Sequence, residues 1–259
     1  MPEPTPDHTP DRTAELVRRD DTDNGVTTLT LNRPDKLNAL TPALFVELRA
    51  HLDAIAADDT VGCVVLTGAG RSFCAGNDLG GIEAGVTAPT PHYQAETIDA
   101  LEALPQPTVG KIRGHCFTGG LELALGCDLL VAADTAQLGD THGQWGLVAV
   151  WGMTVRLPER VGRSRAKELM FTARRIPGTE AAEIGLVDRV VPEADLDAAV
   201  DALTAEIVAN SWGTNRIDKA LLRDHAALDR SAALAHERSL PHGRPADGAE
   251  RLRAFGTRR

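Results

Sequence analysis

The chain has 259 residues, 42% of them hydrophobic and only 3% aromatic, and a net charge of −10 from 37 acidic against 27 basic groups. That size and composition fit a globular α/β domain, alone or with a small appendage, that can bury a substantial core. The acidic balance, with no basic block, argues against nucleic-acid or anionic-membrane binding, and no apolar run approaches the roughly 18 residues of a membrane span.

The opening Met1-Pro2-Glu3-Pro4-Thr5-Pro6-Asp7 has neither a basic segment nor an apolar stretch, so it reads as no signal peptide, and residues 1–14 as a disordered tail. Val26-Thr27-Thr28-Leu29-Thr30-Leu31 alternates as a strand does and stops at Asn32-Arg33-Pro34. Thr41-Pro42 reads as an N-cap with proline at the first helical position, and Leu44, Leu48, Leu52 and Ile55 line one face of the helix that follows. Residues 63–66 form a short buried strand. Ile98, Leu101 and Leu104 mark an amphipathic helix ended by Pro105 and Pro107. Residues 109–112 and 128–132 read as strands on either side of a buried helix starting over 121–125. Beyond Trp151 the pattern predicts helices over 163–172, 194–209 and 215–225, interrupted by one strand over 186–191. No fixed-period repeat is visible. The division expected is a core over 15–195 and a helical region over 196–259.

Two glycine-rich stretches follow strands: Gly68-Ala69-Gly70-Arg71-Ser72-Phe73-Cys74-Ala75-Gly76-Asn77-Asp78 and Gly114-His115-Cys116-Phe117-Thr118-Gly119-Gly120-Leu121-Glu122. Backbone N–H groups at such junctions can bind anions. Each stretch alone is more often a tight turn than an oxyanion site. A dinucleotide fingerprint is disfavoured, because Phe73 stands where the third glycine belongs. Glu122, in an otherwise apolar helix, is either half of a structural ion pair or a proton-transfer group whose pKa burial raises. His142 is a structural side chain or an acid–base group. The 8 histidines show no metal-ligand spacing, so no metal is expected. Cys63, Cys74, Cys116 and Cys127 form no C-x-x-C pair and read as buried thiols of a reducing compartment, with a cytoplasmic location.

In order along the chain, Asn32-Arg33-Pro34 with Asn38-Ala39-Leu40, Phe73-Cys74-Ala75-Gly76-Asn77-Asp78, Gly119-Gly120-Leu121-Glu122-Leu123-Ala124 with Cys127-Asp128, Ala136-Gln137-Leu138-Gly139, and Thr179 through Val187 resemble the motifs of the crotonase superfamily, the enoyl-CoA hydratase/isomerase group. The resemblance implies a ClpP/crotonase-like ββα spiral core, a helical C-terminal trimerisation region, and a homotrimer or dimer of trimers. It implies stabilisation of an acyl-CoA thioester enolate, with coenzyme A as part of the substrate and no separate cofactor. By position, the oxyanion-hole amides fall on Asn77 and Gly119. Arg33, Lys36, Ala75 and Asp78 fall in the region that grips coenzyme A, and Phe255 and Arg258 match a pair reaching a neighbour's coenzyme A. Residues 80–91 would cover the acyl group.

The sequence departs from that pattern at one position. Hydratases of this group use two glutamates; one aligns with Glu122 and the other falls on His142. The acid of the dienoyl isomerases would fall on Val150, which transfers no protons. A Glu122/His142 pair suits hydration of a 2-enoyl-CoA. It would equally serve a β-dicarbonyl hydrolase or an acyl-CoA decarboxylase, and loss of the second glutamate would fit a catalytically degenerate acyl-CoA binder.

Overall fold

The computed structural model describes residues 15–78 and 88–256. The expected tail over 1–14, Arg258 and most of the expected acyl cover lie outside them. A six-stranded sheet has the order β1-β2-β3-β4-β6-β9, from β1 (Val17–Asp21), β2 (Val26–Leu31), β3 (Cys63–Gly68), β4 (Thr108–Ile112), β6 (Leu129–Ala133) and β9 (Arg189–Val191). All neighbours run parallel except β1 and β2. A second sheet joins β5 (His115–Phe117), β7 (Gln137–Gly139) and β8 (Ile176–Pro177), with β5 parallel to β7. Cys63, Val64, Val65 and Leu66 are all buried, as a central parallel strand covered on both faces requires.

Helix α1 (Pro42–Ala56) starts as its sequence predicts. Thr41 Oγ1 accepts from Leu44 N at 3.2 Å, and Leu44, Leu48, Leu52 and Ile55 are buried. It packs on β1 and on α2 (Tyr93–Glu102). Helix α3 (Gly119–Leu125) is buried throughout and packs on β5 and on α4 (Met153–Thr172). After α5 (Gly178–Glu183), α6 (Leu196–Ala209) covers β3, β4 and β6. Helices α7 (Trp212–His225), α8 (Arg230–Arg238) and α9 (Gly248–Gly256) complete the described chain.

A repeat does exist in three dimensions: β4-β5-α3 and β6-β7-α4 each send one strand to the large sheet, one to the small sheet, and then a helix. Unequal connections hide it from any fixed sequence period. The helix expected over 163–172 is the second half of α4. Gly162 breaks that element with φ 74°, and the preceding turns bury Met153 and Leu157, four residues apart. The strand expected over 186–191 shortens to Arg189–Val191, because the amides of Leu186 and Val187 turn back to Ala181 O at 2.8 and 3.2 Å.

Asn38 pins the first glycine loop. Its Nδ2 donates to Ala69 O (2.9 Å) and Ser72 O (2.8 Å), and its Oδ1 accepts from Arg33 N (2.9 Å). Asn38 has φ 55°, a conformation asparagine tolerates better than most residues. Asn38→Ala should therefore destabilise the fold by about 2–4 kcal/mol, since it strands buried polar groups and strains the backbone. Chemical denaturation checks this; a change below about 0.5 kcal/mol would deny Asn38 that role.

Candidate active site

The two glycine loops lie side by side because their backbones pair. Cys74 N donates to His115 O at 2.8 Å and Phe117 N to Cys74 O at 3.1 Å, forming a parallel bridge between Cys74 and Cys116. Both thiols are buried packing groups. Burial pushes Cys74 up to about 12 and Cys116 well above its ordinary value. A Cβ on Gly120 would meet Cys74 O at 2.5 Å, so only glycine permits this approach.

On its other side the first loop pairs with residues 37–40. Ala75 N donates to Leu37 O (3.0 Å), Leu40 N to Gly76 O (2.8 Å) and Asp78 N to Leu40 O (2.9 Å). In this parallel pattern the intervening Asn77 N–H points away from Leu40. Gly119 N belongs to the first turn of α3 and has no intrahelical acceptor. The two amides border one gap: an ideal Cβ on Gly119 would lie 3.5 Å from Asn77 N, and one on Gly76 would lie 3.7 Å from Gly119 N. The same Gly119 Cβ would come within 2.5 Å of Trp151 Cζ3, so the indole closes this side of the gap.

Thr118 enters α3 with φ 53° and ψ −116°, a strained conformation for a β-branched residue. Its amide donates to Gly139 O at 2.9 Å, extending the pairing of β5 with β7, and its hydroxyl meets Thr141 Oγ1 at 2.5 Å. That pairing sets α3, and hence Glu122, against the segment carrying His142.

Glu122 is 1% exposed. Its Oε1 accepts from Trp151 N (2.9 Å) and Met153 N (3.1 Å), and its Oε2 faces His142 Nε2 at 3.7 Å. Asp140, also buried, accepts from His142 Nδ1 at 2.5 Å and His142 N at 3.1 Å. A carboxylate only accepts, so Nδ1 carries hydrogen and Nε2 is the nitrogen turned toward Glu122. The 3.7 Å gap lets a single oxygen atom reach both groups at ordinary hydrogen-bond length of about 2.8 Å.

The line of buried groups runs Asp140, His142, Glu122. Sequence reasoning named the last two and missed Asp140 as the partner that orients the ring. Its signal was the acid two residues before the histidine. A cavity of about 300 Å³ opens on the pair, and Ala75, Asn77, Thr118, Gly119, Trp145 and Trp151 contribute to its wall. A larger hollow of about 830 Å³, bordered by Arg156, Leu203 and Lys219, lies away from these groups. The smaller space is the candidate site, because Glu122, His142, Asn77 and Gly119 all line it.

The remaining sequence-derived positions are distributed unevenly. Arg33 Nη2 pairs with Asp78 Oδ2 at 2.9 Å beside the first loop, and Lys36 is exposed on the 3₁₀ turn Pro34–Lys36. Phe255 sits exposed on α9 and does not line the cavity of its own chain.

Both members of the pair hold protons more firmly than usual. Burial pushes the Glu122 carboxyl up, against the opposing pull of the Met153 amide, His142 and the Trp151 amide. Burial alone would lower His142, but the hydrogen bond and charge of Asp140 and the charge of Glu122 outweigh it and raise the imidazole. The stability gained from the protonated ring is therefore complete below about pH 6.5 and fades as pH rises through the folded-state value. Asp140→Asn should lower the His142 titration midpoint, read from its ring NMR signals. An unmoved midpoint would show that Asp140 does not govern this ring.

The enoyl-CoA hydratase/isomerase family profile matches residues 21–250, and the chain belongs to that family, within the crotonase superfamily. The short-chain-enoyl-CoA hydratase of Clostridium acetobutylicum is 33% identical over 216 residues, covering 82% of this chain and 83% of that protein. The crystal structure of an enoyl-CoA hydratase from Bacillus anthracis superposes with a TM-score of 0.87 at 34% identity, over 94% of this chain and 97% of that one. A Thermobifida fusca YX structure in complex with acetoacetyl-CoA has a TM-score of 0.80 at 35% identity, covering 87% and 92%. Among the described residues, no helix is long and apolar enough to cross a membrane.

Proposed function

We propose that this protein hydrates a 2-enoyl-CoA, using Glu122 and His142 as the acid–base pair. The observation that carries the reading is the 3.7 Å approach of Glu122 Oε2 and His142 Nε2 at a cavity bordered by the amides of Asn77 and Gly119. Those amides would receive the thioester oxygen as it gains charge, each lowering the barrier by about 3–4 kcal/mol. The carboxylate of Glu122 takes a proton from water, whose oxygen bonds to the β-carbon. Electrons shift from the double bond toward the thioester oxygen, giving the enolate. His142 Nε2–H then protonates the α-carbon. Transfer of a proton from Glu122 to the neutral imidazole restores both groups, so one water is added overall.

Coenzyme A recognition is assigned to Arg33, Lys36, Ala75 and Asp78, with Phe255 and Arg258 reaching a neighbouring copy. The bound acetoacetyl-CoA of the Thermobifida structure supports this substrate class. Assembly as a trimer or dimer of trimers is supported by exposed Leu222, Leu252 and Phe255 on the C-terminal helices. Four free, buried cysteines support a reducing, cytoplasmic setting.

The Asp140–His142 contact supports a second reading, activation of water for attack on a carbonyl, as a β-dicarbonyl hydrolase requires. Crotonyl-CoA, a 1,3-diketone and a malonyl thioester, assayed side by side, separate hydration from hydrolysis and decarboxylation. Glu122→Gln should lower turnover of the accepted substrate by about 10²–10⁴-fold with little change in coenzyme A affinity. Wild-type turnover in that variant would remove Glu122 as the base. His142→Ala should cost a similar factor, and unchanged kinetics there would make the ring structural. Tight coenzyme A binding with no turnover of any of the three compounds would leave a degenerate acyl-CoA binder.

A further inference from the structure

Three of the 8 histidines, His225, His236 and His242, gather at the end of α7. Helix α8 folds back from it, and Asp229 caps α8 by accepting from Ala232 N at 2.9 Å. Beyond α8, Leu240 (φ 51°) and Gly243 (φ 74°) reverse the chain, with Gly243 N donating to Leu240 O at 2.9 Å. This turn returns His242 to α7.

Asp224 Oδ2 now meets Nε2 of His242 at 2.7 Å and Nε2 of His236 at 3.1 Å. The three atoms all lie within 4.8 Å of one another. Ligand atoms around a tetrahedral zinc ion, at about 2.0–2.1 Å from the metal, stand roughly 3.3 Å apart. Shifts of about an ångström would bring these three into that arrangement. Their side chains are 29–32% exposed, which leaves a path for the ion and a fourth position for solvent.

The chemistry of the donor set also fits. Two imidazole nitrogens and one carboxylate suit zinc and neighbouring divalent transition metals, whereas calcium and magnesium prefer oxygen throughout. The nearby Arg223 Nε lies 4.0 Å from the other oxygen, Oδ1, and leaves Oδ2 to the histidines. His225, whose ring centroid is 5.8 Å from that of His236, adds a buried Nε2 with no hydrogen-bond partner. As a purely hydrogen-bonded cluster this arrangement aims two imidazoles at one oxygen. A divalent ion accepts lone pairs from both rings and neutralises the carboxylate.

We propose that Asp224, His236 and His242 form a zinc-class divalent metal site that clips the turn after α8 onto α7. The test uses full-length protein, free of any affinity tag and dialysed against a chelator, titrated with Zn²⁺ by calorimetry and with Co²⁺ by visible absorption. One equivalent per chain and the intense visible bands of tetrahedral cobalt are expected, with Zn²⁺ raising the melting temperature. His236→Ala and His242→Ala should each weaken binding at least about tenfold and abolish the thermal shift. His242 lies on a turn outside the helices, and circular dichroism establishes that its variant folds. Absence of stoichiometric binding would overturn the proposal. So would binding that survives the double variant but is lost in His142→Ala, since the ion would then sit at Glu122 and His142.

Discussion

The two glycine loops are held together by backbone pairing, and the site depends on that constraint. The bridge between Cys74 and Cys116 fixes Asn77 beside Gly119 before any side chain of the site is considered. Because the interaction is between main-chain groups, it does not depend on flexible side chains to hold its geometry. Its demand on the sequence is that Gly120 remain without a side chain, since a Cβ there would collide with the Cys74 carbonyl oxygen at 2.5 Å.

The same economy governs Glu122 and His142. A buried carboxylate is costly, and Glu122 meets that cost with two amides from the segment between Trp151 and Met153. Those two bonds occupy one oxygen and leave the other directed at His142. The ring in turn is oriented by Asp140, whose position follows from β7 and from the Thr118–Thr141 contact. One strained residue, Thr118, therefore stands at the junction of both amides with Glu122 and His142.

Much of this was legible in the residues. The Thr41-Pro42 start of α1, the buried strand at Cys63, and the pairing of glycines with Glu122 are local patterns, and local patterns survive in sequence. The resemblance carried the juxtaposition of Asn77 with Gly119, which no spacing rule supplies across more than forty residues. What stayed hidden was non-local or irregular. The β5-β7-β8 sheet consists of strands too short to show alternation. The first half of α4 was obscured by Pro158 and by Gly162, whose φ of 74° interrupts the helix. Asp140 became meaningful only when its distance to the ring was known. Asp224, His236 and His242 illustrate the same limit, because their meeting depends on a chain reversal at Leu240 that sequence does not announce.

Arg156 gives the molecule a division of labour. Its guanidinium is buried, donating to Trp151 O at 2.9 Å and pairing with Asp99 and Glu102 of α2 at 2.6 Å each. The peptide stretch that cradles Glu122 is thus moored to α2. Residues 145–150, immediately before it, carry the exposed Trp145, Leu147, Val148 and Val150, three of them aliphatic. Under the proposed function, substitution in that outer wall would reshape the room offered to an acyl tail while the mooring keeps the carboxylate in place. On that reading, selectivity for chain length and the capacity for proton transfer would be mechanically separable, and lineages of this fold could diversify in one without forfeiting the other.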